Sequence, residues 1–171
     1  MDINMKVSNQ GIEFLKRVEG CVIINNQHVI YDDATGQPVP TGAELPIGAT
    51  IGYGHLIRRG EDFNQGLSEM AADTLLRADV AIAAHAVDNY IYMPLAQHQY
   101  DALVSLAFNI GVVNFKESTL VKYINDPKFY NSMYPNPERA WKAWNTSRGR
   151  VSRGLVNRRR AEWDMFARGI Y

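Results

Sequence analysis

Apolar residues recur at the spacing of an amphipathic helix early in the sequence. Ile12, Leu15 and Val18 fall three residues apart, which places their side chains along one face of a helix. Ser8 precedes them as a candidate N-cap, so the pattern predicts a helix over about residues 9–19.

The next segment alternates short β-branched runs with turn residues, a pattern typical of strands. Residues 22–24 and 29–31 flank the polar run 25–28, and this arrangement predicts a hairpin. Residues 34–49 carry three prolines and three glycines and are expected to form a loop before a third strand at Thr50–Tyr53. These strands together predict a small antiparallel sheet.

From Leu67 onward the apolar pattern is helical. Ser68 is expected to cap a long alanine-rich helix, and a later segment that is apolar almost all round belongs at the centre of a helical bundle. The helices predicted in this half cover about residues 69–90, 100–110 and 119–125, a segment opened by Pro137 that carries Trp141 and Trp144, and residues 155–166.

The order of these elements predicts an α+β fold, with a small antiparallel β-sheet lobe and a larger helical lobe joined by a long helix. We expect a single domain over residues 1–171. In this interpretation the β lobe covers about 20–66, and the helical lobe consists of 67–171 together with helix 9–19.

The composition is that of an ordinary globular protein, with 46% hydrophobic and 21% charged residues in 171. No secretory signal and no apolar run of membrane-spanning length are present in the sequence. One cysteine excludes an internal disulfide. The net charge of zero hides an asymmetry, because residues 139–171 hold nine basic and two acidic residues, whereas the remainder holds nine and sixteen. A basic region of this kind often meets a polyanion.

Two carboxylates stand in different settings before the strand that begins at Thr50. Glu19 ends the first helix beside apolar residues, which favours its protonated form, and Asp33 lies in a polar, turn-rich loop where it is expected to stay ionised. An acid and a base of this kind are what hydrolysis of a glycosidic bond requires. Each of these residues also has a purely structural interpretation. Glu19 would be a solvated carboxylate at a helix end, Asp33 a turn former and Thr50 an ordinary strand threonine.

Motifs for other chemistries are absent from the sequence. It contains no phosphate loop, no nucleophile elbow and no His-Glu-x-x-His, and its four histidines are scattered without ligand spacing. We therefore expect no metal and no cofactor. His55 is interpreted as a structural hydrogen-bonding residue behind the site, since the two carboxylates already supply an acid and a base.

Several segments form an ordered set of motifs along residues 8–167. They are Glu19–Gly20, Tyr31–Asp33, Thr50–His55, Gln99–Gly111, Phe115 with Ser118–Leu120, Trp144–Asn145, Gly154–Leu155 and Arg158–Glu162. In this order they resemble the phage-type lysozymes and endolysins of glycoside hydrolase family 24, the T-even phage lysozyme-like muramidases.

The resemblance implies a catalytic set of Glu19, Asp33 and Thr50. The gaps between these residues, thirteen and sixteen residues, are longer than in compact family members. Both Asp32 and Asp33 are candidates for the aspartate, and Asp33 is favoured because the family places its aspartate two residues after the tyrosine, here Tyr31. The family's inverting mechanism predicts carboxyl groups about 6.5–9.5 Å apart, against about 5 Å for a retaining route.

The resemblance also implies substrate-binding roles for Leu56, Phe108 and Ser118, with peptidoglycan as the substrate. The expected activity is hydrolysis of the β-1,4 bond between N-acetylmuramic acid and N-acetylglucosamine, leading to bacterial lysis. One alternative is a lytic transglycosylase, which uses a single acidic residue. Another is a non-catalytic module that binds a polyanion or the cell envelope through its basic region.

Further expectations concern partners and location. We expect a monomer that binds no nucleic acid, with anionic outer-membrane lipid as a possible partner of the basic C-terminal region. Trp163, Met165, Phe166 and Ile170 are the expected apolar side of that lipid-binding surface. The protein is expected to accumulate in the host bacterial cytoplasm until a holin releases it to the cell wall or periplasm.

Overall fold

The computed structural model describes residues 5–171, and within them seven α-helices and seven short β-strands. Helices α1 to α7 are Asn9–Glu19, Glu69–Tyr90, Gln97–Ile110, Val112–Glu117, Thr119–Asn125, Pro137–Lys142 and Arg153–Arg168. Strands β1 to β7 are Ile23–Ile24, Gln27–His28, Tyr31–Asp32, Ala49–Ile51, His55–Leu56, Thr146–Ser147 and Arg150–Val151. This combination of helices with small antiparallel sheets confirms the predicted α+β class.

The described chain divides into two compact units. One unit is Leu15–Asp79 and contains β1 to β5, and the other consists of the described residues on either side of it. Helix α2 contributes residues to both units. The single domain predicted over residues 1–171, with lobes divided near residue 67, stays a prediction, and its residues 1–4 lie outside the described chain.

The unit Leu15–Asp79 is built on a three-stranded antiparallel sheet in the order β3-β4-β5. Its register places Tyr31 opposite Thr50 and Thr50 opposite Leu56. Ile30, Ala49 and Ile51 form the buried centre of this unit. The partly buried residues packed against them are Val39, Ile57, Phe63, Leu67 and Leu75.

The predicted hairpin is present, but its second strand is displaced. Residues 29–31 were expected to pair with 22–24, whereas β1 pairs with β2 so that Ile23 lies opposite His28. Asn25 and Asn26 both adopt positive φ angles, 51° and 62°, and form a two-residue turn. Two consecutive residues of this conformation favour a type I′ hairpin, whose short connection fixes the earlier register.

The third predicted strand is shorter than expected at its far end. Strand β4 ends at Ile51 rather than Tyr53, because Gly52 and Gly54 take positive φ angles of 61° and 88°. These conformations turn the chain into β5, a strand that was not predicted. The sequence Gly52–Gly54 is therefore a turn between two paired strands.

Helix boundaries follow the capping residues. The Ser68 side chain accepts a hydrogen bond from Ala71 N at 3.2 Å at the start of α2, as predicted. Helix α3 starts three residues before the predicted Tyr100 and ends before Gly111 as expected. Helix α6 begins at Pro137 but ends at Lys142, so Trp144 lies outside it. The helix α4 and the hairpin β6–β7 were not predicted.

In the second unit, which consists of the described residues on either side of Leu15–Asp79, α3 and α7 form the most extensive helix–helix contact among the described elements. Buried Glu162 of α7 accepts hydrogen bonds from Ser105 Oγ at 2.8 Å and Trp141 Nε1 at 3.1 Å. Its carboxylate also pairs with Arg158 Nε at 2.9 Å and Arg159 Nε at 3.0 Å. One buried carboxylate thus joins α3, α6 and α7.

None of the described helices combines the length and the apolar composition needed to cross a lipid bilayer.

Candidate active site

Glu19 is the last residue of α1 and is half-buried. One of its carboxylate oxygens, Oε1, is buried, and the other lies against the turn at Gly54. A Cβ atom at Gly54 would lie only 3.3 Å from Glu19 Oε2. The turn therefore lies close to the carboxylate, and a side chain at position 54 would be crowded by Glu19 and strained by the positive φ of this residue.

Asp32 and Asp33 follow one another at the end of β3, but their side chains have different surroundings. The Asp32 carboxylate accepts hydrogen bonds from Ala34 N at 2.9 Å and from Thr35 Oγ1 at 3.0 Å, so it closes the turn after the strand. Asp33 is exposed, and its backbone N–H donates to Gly48 O at 3.3 Å. Among the described residues, no hydrogen bond or ion pair engages the Asp33 carboxylate.

Thr50 lies in the middle of β4 and is only 3% exposed. Its hydroxyl donates to Gly48 O at 2.9 Å, which fixes the rotamer and leaves the lone pairs of Oγ1 able to accept. The same residue Gly48 accepts the backbone N–H of Asp33, so Thr50 and Asp33 are held by one segment of the loop.

The Tyr31 hydroxyl is influenced by both candidate carboxylates. Burial, together with the negative charges of Asp33, Glu19 and Cys21, raises the pKa of Tyr31 to about 12, and a hydrogen bond from the Gly54 backbone N–H opposes this rise. In the adjacent strand Thr50 is paired with Tyr31.

His55 is held by two carboxylates at once. Its Nδ1 lies 2.7 Å from Asp79 Oδ2 and its Nε2 lies 3.0 Å from Glu61 Oε2. Burial of the ring opposes protonation, but the hydrogen bonds and charges of Glu61 and Asp79 outweigh it and raise the pKa of His55. Both ring nitrogens are engaged, which agrees with the interpretation of His55 as a structural residue.

A second group of polar side chains surrounds Glu69 at the start of α2, and sequence reasoning missed it. The Glu69 carboxylate accepts from the Tyr53 hydroxyl at 2.8 and 2.9 Å and from Lys16 Nζ at 3.1 Å, and it lies 2.9 Å from His28 Nε2. These residues come from four separate segments of the chain. No local sequence signal links them.

The three residues expected to bind substrate have different environments. Leu56 is exposed beside Thr50 in the sheet, whereas Phe108 and Ser118 belong to the second unit. Phe108 is half-buried near the end of α3. Ser118 is buried, and its Oγ caps α5 by accepting from Val121 N at 3.2 Å. Their substrate-binding roles stay predictions.

The basic C-terminal region is divided between core and surface. Arg158 and Arg159 are buried with Glu162, while Arg148, Arg150 and Arg153 are exposed. Part of the expected apolar side of this region packs inside the protein. Met165 is fully buried, Trp163 meets Trp141 edge-on and Phe166 lies tilted against it, at ring-centroid distances of 5.7 and 5.2 Å. Ile170 is exposed, as are Val151 and Val156, so the surface of this region carries both exposed arginines and exposed apolar side chains.

The α+β fold, with Glu19, Asp33 and Thr50 in one unit, defines a lysozyme-like protein. The family model for phage lysozymes matches residues 17–162, and the chain belongs to that family.

The endolysin of Bacillus phage B103 is 35% identical over 167 residues, which cover 96% of this chain and 55% of that protein. The solved endolysin from Escherichia coli O157:H7 phage FAHEc1 is 31% identical with a TM-score of 0.76, covering 98% of this chain and 96% of that chain. The muramidase domain of SpmX from Asticaccaulis excentricus is 29% identical with a TM-score of 0.70, covering 95% and 97%. The chain spans about half the length of the Bacillus phage endolysins it matches.

Proposed function

We propose that this protein is an endolysin of the muramidase type, which cleaves the β-1,4 bond between N-acetylmuramic acid and N-acetylglucosamine in peptidoglycan. Membership of the phage lysozyme family supports the reaction class. The observation that carries the assignment of roles is the carbonyl oxygen of Gly48, which accepts the Thr50 hydroxyl at 2.9 Å and the backbone N–H of Asp33 at 3.3 Å. The Glu19 carboxylate, which faces Gly54 in the turn after the strand of Thr50, supports the proposal from a separate segment.

In the proposed reaction Glu19 acts as the general acid. It donates its proton to the glycosidic oxygen as the bond from that oxygen to the anomeric carbon breaks. A water molecule attacks the anomeric carbon from the opposite face, and Asp33 takes the proton that this water loses. The products are a new reducing end and a free sugar hydroxyl, and exchange with solvent restores both carboxyl groups. This sequence inverts the anomeric configuration.

Thr50 is proposed to position the attacking water. Its hydroxyl proton is directed to Gly48 O, so Oγ1 is left as an acceptor for a proton of the water. Asp33 is proposed to accept the second proton, because Gly48 O accepts both the Thr50 hydroxyl and the backbone N–H of Asp33 and so holds the two residues at one segment. The water is then oriented with a lone pair towards the sugar.

Asp33 is favoured over Asp32 as the general base because of what each carboxylate contacts. The Asp32 carboxylate is committed to the turn through Ala34 and Thr35. Leu56, Phe108 and Ser118 are proposed, from the family resemblance, to bind the glycan. Of these, Leu56 has the most exposed side chain, and it is the neighbour of Thr50 across the sheet.

Product analysis after digestion of purified peptidoglycan tests this proposal. Wild-type protein is expected to release muropeptides with new reducing ends, whereas Glu19→Gln should lose at least about a hundredfold in rate, as expected for a missing general acid. Anhydro-muramyl products, together with full activity of Asp33→Asn, would identify a lytic transglycosylase instead. Peptidoglycan binding without cleavage by the wild type would identify a non-catalytic module.

The remaining expectations concern what lies outside the reaction. We propose that the exposed arginines of the C-terminal region draw the protein to anionic envelope polymer or outer-membrane lipid. We also propose monomeric action and release from the host cytoplasm by a holin. Lysis of expressing cells only when a holin is co-expressed would support the latter, and equal lysis without one would overturn it.

A further inference from the structure

We infer that Tyr53 and Glu69 are positioning residues for the general acid, which hold the Gly52–Gly54 turn against the carboxylate of Glu19. This inference deepens the proposed function and rests on it. Neither residue is placed at the reacting atoms. Their effect is exerted through Gly54, the residue that faces Glu19 Oε2 and whose backbone N–H donates to the Tyr31 hydroxyl.

The first step concerns the Glu69 carboxylate, which anchors the Gly52–Gly54 turn by accepting a hydrogen bond from Tyr53. The Tyr53 hydroxyl lies 2.8 Å from Glu69 Oε1 and 2.9 Å from Oε2, so it donates to the carboxylate from the middle of the turn. A hydrogen bond to a charged acceptor is stronger than one between neutral groups. Gly52 and Gly54, on either side, both have positive φ angles and no side chain to hold the turn by packing.

The second step is the rigidity of the anchor. Burial opposes ionisation of Glu69, but hydrogen bonds from His28, Tyr53 and Lys16 outweigh it and lower the pKa of Glu69 to about 2. The carboxylate therefore remains an acceptor throughout the range in which the enzyme is expected to work. The imidazole of buried His28 packs edge-on against the Tyr53 ring, with centroids 5.0 Å apart, so the ring is held as well as the hydroxyl.

The third step links the anchor to the helix that carries the acid. Lys16 Nζ pairs with Glu69 Oε1 at 3.1 Å and with Asp73 Oδ1 at 2.8 Å. Lys16 lies three residues before Glu19 in α1, so both side chains project from the same face of the helix. The end of α1 and the Gly52–Gly54 turn are thus attached to the same carboxylate.

The contacts around Glu69 are expected to set the distance between the Gly52–Gly54 turn and Glu19, and to contribute little to the stability of the fold. Glu69 is 57% exposed, and exposed ionic contacts contribute little to folding. By contrast, the space between Gly54 and Glu19 Oε2 is so narrow that a Cβ atom added at Gly54 would lie 3.3 Å from that oxygen. A displacement of about 1 Å at a catalytic group can reduce a rate by about a hundredfold.

The test compares Tyr53→Phe with the wild type. The substitution removes only the hydroxyl and keeps the ring against His28. The rate constant kcat on a soluble, purified glycan strand is expected to fall about tenfold, with KM and the melting temperature nearly unchanged. Tyr130→Phe, at an exposed tyrosine of the other unit, is the matched control and should behave as the wild type.

A double-mutant cycle with Glu69→Gln separates positioning from a general loss of structure. If the two residues act through one contact, the double variant should be no slower than the slower single variant. Additive losses in kcat, a change confined to KM, or wild-type kcat in Tyr53→Phe would each overturn the inference. Glu19→Gln, measured in parallel, shows whether the proposed acid itself is correct, because its full activity would overturn the proposed function instead.

Discussion

At the scale of single residues, the neighbouring carboxylates of Asp32 and Asp33 perform different tasks. The Asp32 side chain completes a turn with Ala34 and Thr35, and the Asp33 side chain is exposed. The charge of Asp33 contributes to the raised pKa of Tyr31, the residue that precedes Asp32 in β3. The two adjacent acidic residues are therefore distinguished by the local turn contacts of Asp32 and by the exposure of Asp33.

Replacement of each aspartate by asparagine should separate these tasks. We expect Asp33→Asn to lower the rate of peptidoglycan hydrolysis by about a hundredfold or more, because the general base is lost. Asp32→Asn should keep most of the activity and lose about 1 kcal/mol of stability through weaker turn hydrogen bonds. Reducing-end release and thermal unfolding measure the two effects, and the reverse result would assign the base to Asp32.

His55 makes the stability of the protein depend on pH near neutrality. The hydrogen bonds that the ring donates to the carboxylates of Glu61 and Asp79, and the charges of these carboxylates, raise the pKa of His55 above the ordinary value of 6.5 despite burial. The folded protein therefore binds this proton more tightly than the unfolded chain. The resulting stabilisation is complete below the unfolded value and is lost as pH rises through the folded value.

We therefore expect the free energy of unfolding of the wild type to decrease as pH is raised from about 6 to about 8. In His55→Gln this slope should be reduced, because the titrating group is absent. Urea unfolding at a series of pH values measures it. His85→Gln, at an exposed histidine, should keep the wild-type slope, and a His55→Gln protein with an unchanged slope would contradict the assignment.

At the scale of elements, the sequence predicted helices better than strands. Ser68, Ser118, Pro137 and Gly111 each mark a helix end through local chemistry, and the structure places helix boundaries at all four. Strand pairing depends on contacts that are not local. The turn at Asn25–Asn26 moved the pairing register, since its two positive φ angles favour a two-residue connection that composition alone did not reveal.

The same distinction applies to the candidate site. Glu19, Asp33 and Thr50 were predicted as the catalytic set because their motifs resemble a known family. Such a resemblance identifies sequence segments, but it does not identify the contacts between them. The contacts around Glu69 join residues 16, 28, 53 and 69, and no periodicity or spacing brings these together. Buried Arg158 and Arg159 were similarly grouped with surface charges, because a run of arginines is usually solvated.

Because the buried carboxylate of Glu162 joins three helices, we expect its substitution to lower the stability of the fold strongly. Glu162→Gln removes the charge that compensates Arg158 and Arg159 and is expected to destabilise the fold by about 3 kcal/mol. Glu138→Gln breaks the exposed pair with Lys142 and should cost less than about 1 kcal/mol. Chemical denaturation of the two variants provides the comparison, and equal stabilities would contradict the role given to burial.

At the scale of the whole molecule, zero net charge conceals a basic C-terminal region. Its exposed part includes arginines in and around the hairpin β6–β7 and on α7, together with Val151, Val156 and Ile170, whereas Trp141 and Met165 are buried. Attraction to an anionic polymer or lipid surface would then be electrostatic, and electrostatic attraction between exposed charges weakens as salt screens it.

Salt dependence should therefore differ between large and small substrates. We expect lysis of intact cell walls to slow as salt is raised from about 10 to about 300 mM, while cleavage of a short uncharged glycan stays nearly constant. Simultaneous substitution of Arg148, Arg150 and Arg153 by glutamine should remove most of the difference. Equal salt responses on both substrates in the wild type would exclude an electrostatic contribution to wall binding.

The contact between α3 and α7 also has a consequence for synthesis on the ribosome. The apolar helix α3 is complete at Ile110, but the helix that covers it begins only at Arg153. At bacterial elongation rates this leaves α3 uncovered for on the order of seconds. We expect the nascent chain to be inactive and to attract chaperones during that interval.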